Sequence, residues 1–179
     1  RDTNLGCKYG VSGGIDWFFE NEEEGIILED DTLPSQSFFW FCQELLERYR
    51  DDDRVGQISG LRRFEQVDTG KESYFFSRYG SIWGWASWRN AWKYYNVEIC
   101  QVVRRNINDI LKNVTFSTLE YKKRRLIVNK LLEKKIDTWD YQWGLAKYAN
   151  HLLSVVPKVN LIVNIGFGDG ASHIYKKKK

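Results

Sequence analysis

The chain alternates helical stripes with short apolar runs. Ile15, Phe18 and Phe19 fall at helical spacing and predict a short amphipathic helix over 11–20. Ile26-Ile27-Leu28 is a strand-sized apolar run, closed by three acids, Glu29-Asp30-Asp31. A turn is expected at 32–35, because Pro34 cannot continue a hydrogen-bonded ladder. Phe38, Phe41, Cys42, Leu45 and Tyr49 then share one stripe, which predicts a helix over 37–50. Residues 55–59 read as the next strand, with Gly60 behind it. This order of helix, strand, helix, strand predicts an α/β fold with a mixed, mostly parallel sheet flanked by helices. In such sheets ligands bind beyond the carboxyl ends of the strands, and the acid triplet stands at one of those ends.

The second half is less regular. A strand is expected at 73–77, a Gly/Trp loop at 80–85, and a short helix capped by Ser87 that runs through 94. Trp88 and Trp92, four residues apart, are expected in the core on one helix face. A helix is expected over 102–113. The clearest helix spans 117–135 and opens with a capping box of Ser117 and Glu120. A further helix at 139–152, an extended run at 161–163 and a Gly-rich loop at 167–172 complete the chain. No internal repeat or long linker interrupts it, so 1–179 reads as a single domain.

Composition narrows the class. The chain is 42% hydrophobic and 28% charged, as expected of a globular protein, and no apolar run nears the ~18–20 residues of a membrane span. A net charge of +3 is too small to point to a nucleic-acid partner. The basic runs 122–125 and 176–179 lie apart from the Trp cluster in the sequence, whereas single-strand binding needs both on one face. Those runs read as a solvated helix face and a frayed terminus, or as peripheral attraction to an anionic membrane surface. Cys7, Cys42 and Cys100 are too scattered for a disulfide framework or a zinc site. They are expected as free thiols in a cytoplasmic protein. Eight Trp among 16% aromatic residues suit either a core or a face that stacks on sugars.

Three acids at a strand end repel one another unless a cation or hydrogen-bond donors sit there. Mg²⁺ or Mn²⁺ takes carboxylate oxygens and keeps positions free for substrate phosphates. The competing reading is an acidic turn that caps the next helix, and the triplet alone leaves the two close.

The run Ile26-Ile27-Leu28-Glu29-Asp30-Asp31, with Pro34 and Phe38-Phe39 after it, resembles a signature of GT-A glycosyltransferases. The likeness is to bacterial nucleotide-diphospho-sugar transferases labelled hemolysin-like, and more distantly to N-acetylglucosaminyltransferase I. Further pieces follow in the family's order: Gln57-Ile58-Ser59-Gly60, Trp83-Gly84-Trp85-Ala86-Ser87-Trp88, 137–143, and Asn164-Ile165-Gly166-Phe167-Gly168 with His173. Together they span nearly the whole chain.

The resemblance implies a metal-dependent, inverting transferase. It would move a sugar from a nucleotide-diphospho-sugar, by family habit a UDP-sugar, to a glycan or lipid-linked acceptor. Asp31 would bind Mn²⁺ or Mg²⁺, with His173 as a further ligand. Asp30 would lie near the ribose and Glu29 would brace the site. Asp140 would be the catalytic base at a helix start, with Asp137 as its rival; both also suit plain helix capping. Trp83, Gly84 and Trp85 would line the donor or acceptor sugar, against the alternative of a packed aromatic cluster. Arg78 is a candidate for a phosphate or carboxylate.

The family carries several strands before its acid triplet, and here little precedes Ile26. A fragment lacking the N-terminal nucleotide-binding part is therefore expected, with an open sheet or an apolar flank available for self-association. The alternative function is a degenerate transferase that binds carbohydrate without turnover.

Overall fold

The computed structural model describes residues 3–62 and 70–166. The first helix, α1 (Gly6–Asn21), buries Ser12, Ile15 and Phe19. The chain then forms β1 (Glu24–Ile27), β2 (Thr32–Pro34), α2 (Gln36–Tyr49), β3 (Val55–Ser59) and β4 (Tyr74–Ser77). Next come β5 (Trp85–Trp88) and the short helices α3 (Arg89–Trp92) and α4 (Ile99–Val102). The helices α5 (Ile107–Val114), α6 (Thr118–Leu132) and α7 (Asp140–Ala149) follow, then β6 (Leu153–Pro157) and β7 (Ile162–Asn164).

Five strands form one sheet in the order β1-β5-β3-β6-β4, and β2 pairs with β7 in a second, two-stranded sheet. The fold is α/β with a mixed sheet, as expected, but the sheet is mostly antiparallel rather than mostly parallel. Among the described residues only β3 and β6 pair in parallel; β1 with β5, β3 with β5, and β4 with β6 are all antiparallel. The alternation over 11–59 does yield two strands of like direction, β1 and β3, around α2. The later strand β5 inserts between them and runs opposite to both. β5 is Trp-Ala-Ser-Trp, fully buried, where a loop and a Ser87-capped helix were expected. Ser87 instead donates its hydroxyl to the Gly56 carbonyl at 2.7 Å, inside the sheet. Trp88 and Trp92 are both in the core, but the first is in the strand and the second in α3.

Other expectations move less. The predicted turn at 32–35 is the edge strand β2, tolerated because Pro34 ends it. The predicted helix at 102–113 divides into α4 and α5. At α6, Ser117 caps the Glu120 N–H at 3.1 Å, while the Glu120 carboxylate accepts from the Phe116 N–H rather than from Ser117. Cys7, Cys42 and Cys100 are all free thiols.

Strand alternation sends neighbouring β5 residues to opposite layers. Ala86 and Trp88 join Phe38, Cys42, Leu45 and Leu46 of α2 on one face. Trp85 joins Phe19 of α1, Trp92 of α3 and Trp143 of α7 on the other, where Trp139 also packs. Helices α4, α5, α6 and α7 gather around Ile107, Leu111, Val128 and Leu145. The main sheet is open, with β1 and β4 at its edges. Trp17 on α1 and Trp40 on α2 are 66% and 72% exposed, so apolar surface remains on both helical layers. No helix among the described residues is long and apolar enough to cross a membrane.

Candidate active site

The acid triplet leaves β1 in a tight turn. The Thr32 N–H and hydroxyl both donate to the Glu29 carbonyl, at 3.1 and 2.7 Å. The same hydroxyl accepts from the Glu29 N–H at 3.2 Å. The threonine thus closes the turn and begins β2.

β7 then fixes Asp31 from more than a hundred residues away. The Ile165 N–H donates to the Asp31 carbonyl at 2.8 Å. The Asn164 side-chain amide donates to Asp31 Oδ2 at 3.1 Å. Gly166 lies against the same carboxylate: a Cβ there would stand 2.9 Å from the Asp31 Cβ and closer still to Oδ2. Asp31 Oδ1 is buried and has no hydrogen-bond partner among the described residues. A buried carboxylate oxygen in that state is costly unless something positive faces it.

The start of α7 supplies the second candidate acid. Trp139 precedes its first residue and is buried against Trp85, with ring centroids 5.9 Å apart and planes 25° apart. Trp85 also packs on Trp92 and Trp143, at 6.0 and 5.8 Å, so the helix start rests on a rigid indole cluster. Asp140 occupies the first turn, where the helix dipole favours a carboxylate. The Thr138 hydroxyl donates to Asp140 Oδ1 and sets its orientation.

Glu29 joins the two halves. Burial first, then the charges of Asp31 and Asp140, push its carboxyl up to about 7; a hydrogen bond from the Trp139 side chain opposes them. Glu29, Asp31 and Asp140 therefore share one electrostatic neighbourhood, although Asp140 lies far along the chain.

The remaining candidates fall in different places. Asp30, the middle acid of the triplet, is exposed. Trp83 is half-buried, and Gly84 packs close to Ile162 and Leu28, which places this pair beside the triplet. Gly84 has φ +58°, so the glycine is required by the backbone as well as by the close packing. Trp85 is fully buried and presents no open face to a sugar. Asp137 caps a different helix from the one expected. Its carboxylate accepts from the Cys7 and Lys8 N–H groups at 3.0 and 3.1 Å and closes the start of α1. Arg78 donates to the Asn113 carbonyl at the end of α5. His173 and the loop at 167–172 lie outside the described residues.

No three His, Cys, Asp or Glu side chains among the described residues form a group able to hold a metal ion. The unpartnered Asp31 Oδ1 fits a site of a different kind, in which one carboxylate takes a divalent cation and substrate phosphates complete its shell. Three features near the candidate acids were not singled out in the sequence. The Thr32 turn and the Thr138 hydroxyl each lie within three residues of a candidate acid. Lys147, buried in α7, sits in an apolar stretch where nothing local marks it.

No protein-family model matches the chain, and no curated protein matches it closely enough to count.

Proposed function

We propose that this chain is an inverting, metal-dependent glycosyltransferase of the GT-A type and carries its metal and base residues. The donor would be a nucleotide-diphospho-sugar and the acceptor a hydroxyl of a glycan or lipid-linked sugar. The observation that carries this reading is the buried, unpartnered Oδ1 of Asp31, with the charges of Asp31 and of Asp140, at a helix start, both acting on Glu29. Metal-dependent sugar transfer needs that division, with one carboxylate for the leaving diphosphate and another to take the acceptor proton.

Asp31 would hold Mg²⁺ or Mn²⁺ through its unpartnered Oδ1, and the ion would supply Lewis-acid stabilisation to the leaving nucleotide diphosphate. Asn164, Ile165 and Gly166 hold that carboxylate still. Asp140, oriented by Thr138, accepts the proton of the attacking hydroxyl. Glu29, sharing a proton with solvent near neutral pH, limits the repulsion between the two acids when no cation is present. Trp83 offers a half-buried ring to a sugar face beside the triplet, and Asp30 a carboxylate to a ribose.

The test is turnover of a panel of nucleotide-sugars with and without Mn²⁺. The reading expects at least one donor to be cleaved or transferred only with metal, and that turnover to disappear in Asp31→Asn. Turnover that ignores both would remove it.

A further inference from the structure

α7 presents a second ionisable face. Asp140, Gly144 and Lys147 recur at helical spacing on one side, with about 10 Å of helix between the first and last. All three line a cavity of about 180 Å³ that also meets Gln57 of β3 and Arg124 of α6. At about 30 Å³ per water, that is the room of roughly six waters, a space suited to one sugar ring. Asp140 is half-buried and Lys147 is 3% exposed, so the lysine is at the deep end.

Lys147 is an unusual residue to bury. Its ammonium donates to Gln57 Oε1 and, at 2.8 Å, to Ser154 Oγ, both neutral acceptors. It also stands 5.7 Å from the Trp143 ring. No carboxylate among the described residues pairs with it. Burial alone pushes its amine down to about 7. The other titratable groups around the cavity are Asp140, Arg124, Tyr79, Tyr141 and Tyr148. Arg124 is already paired with Glu120 at 3.0 Å and lies over the Tyr79 and Tyr148 rings. Gly144 leaves the helix face open between Asp140 and Lys147; a Cβ there would meet only Tyr148, at 3.9 Å.

We propose that this cavity binds an acidic sugar, with a ring hydroxyl toward Asp140 and a carboxylate or phosphate against Lys147. An anion provides the counter-charge that Lys147 lacks, and its arrival draws a proton onto the amine. That the sugar is the acceptor rests on the transferase reading. That the cavity takes an anion does not.

Calorimetry on the whole chain, in buffers of differing ionisation enthalpy, tests this with D-glucuronate, D-glucose 6-phosphate and neutral D-glucose. At least one acidic sugar should bind tenfold or more tightly than glucose. Its binding should take up close to one proton at pH 8 and almost none at pH 5.5. Affinity should weaken by up to about tenfold per pH unit above 7. The better of the two acids tells carboxylate from phosphate. Lys147→Met should lose the preference and the proton uptake. Gly144→Leu fills the cavity while keeping the Lys147 amine and should lose binding while keeping the fold. Equal binding of glucose, or uptake unchanged in Lys147→Met, overturns the proposal. If an acidic sugar binds as described but no nucleotide-sugar is turned over, the anion site stands and the transferase reading falls. Transfer to a neutral acceptor with no acidic sugar bound has the opposite meaning.

Discussion

Replacing Glu29 with Gln should stabilise the protein in alkaline, metal-free buffer and should flatten its pH dependence. The substitution keeps the shape and removes the ionised state. In the fold, burial and the charges of Asp31 and Asp140 raise the carboxyl from 4.5 to about 7. A group whose pKa is raised on folding adds stability below its unfolded value and loses it as pH rises through the folded value. Wild-type stability should therefore fall between about pH 4.5 and 7 and then level. At about 1.36 kcal/mol per pKa unit the full shift is worth roughly 3 kcal/mol. Glu29 is only partly buried, and solvent screening reduces this to about 1–2 kcal/mol. Urea unfolding of both proteins at intervals from pH 4 to 9 measures it directly. Glu29→Gln should gain about 1–2 kcal/mol on wild type at pH 8, and little or none at pH 4. Parallel curves for the two proteins would mean that the three carboxylates do not share a site.

Two further substitutions separate the roles of neighbouring residues. Gly166→Ala forces a methyl group against the Asp31 carboxylate; it should cost about 1–3 kcal/mol by overpacking and should weaken Mn²⁺ binding, read by titration against the ion's paramagnetic relaxation. Asp137→Ala removes the acceptor for two N–H groups of α1. It should lower the urea midpoint by the equivalent of about 0.5–2 kcal/mol while leaving turnover within a few-fold of wild type, unlike any change at Asp140.

The elements that could be read from sequence are those whose own periodicity decides them. α2 and α6 carry helical stripes or caps, and β3 is a short stretch bounded by Asp51-Asp52-Asp53 and Gly60, so each lies within a few residues of expectation. β5 carries no such signal. Two indoles, an alanine and a serine form a strand only because both of its faces are buried by parts of the chain remote from it. Missing that strand turned an antiparallel neighbourhood into an expected parallel one. The site divides in the same way. Glu29-Asp30-Asp31 stands out locally, at a strand end. The approach of Asp140 is set by the packing of Trp139 on Trp85. The hold of Asn164 and Gly166 on Asp31 depends on the β2-β7 pairing. Neither contact has a local signature. The same is true of Asp137, whose spacing suits the cap of its own helix but whose carboxylate closes α1 instead.

The central claim is that Asp140 takes the acceptor proton opposite a diphosphate leaving group held at Asp31. Proton NMR of the product formed from an α-linked donor, with wild type and Asp140→Asn compared under saturating Mn²⁺, tests it most directly. With Asp140 as the base, the product should be β-linked and Asp140→Asn should lose about 10²–10⁴ in kcat with donor affinity retained. An α-linked product, or an Asp140→Asn enzyme as fast as wild type, would contradict it.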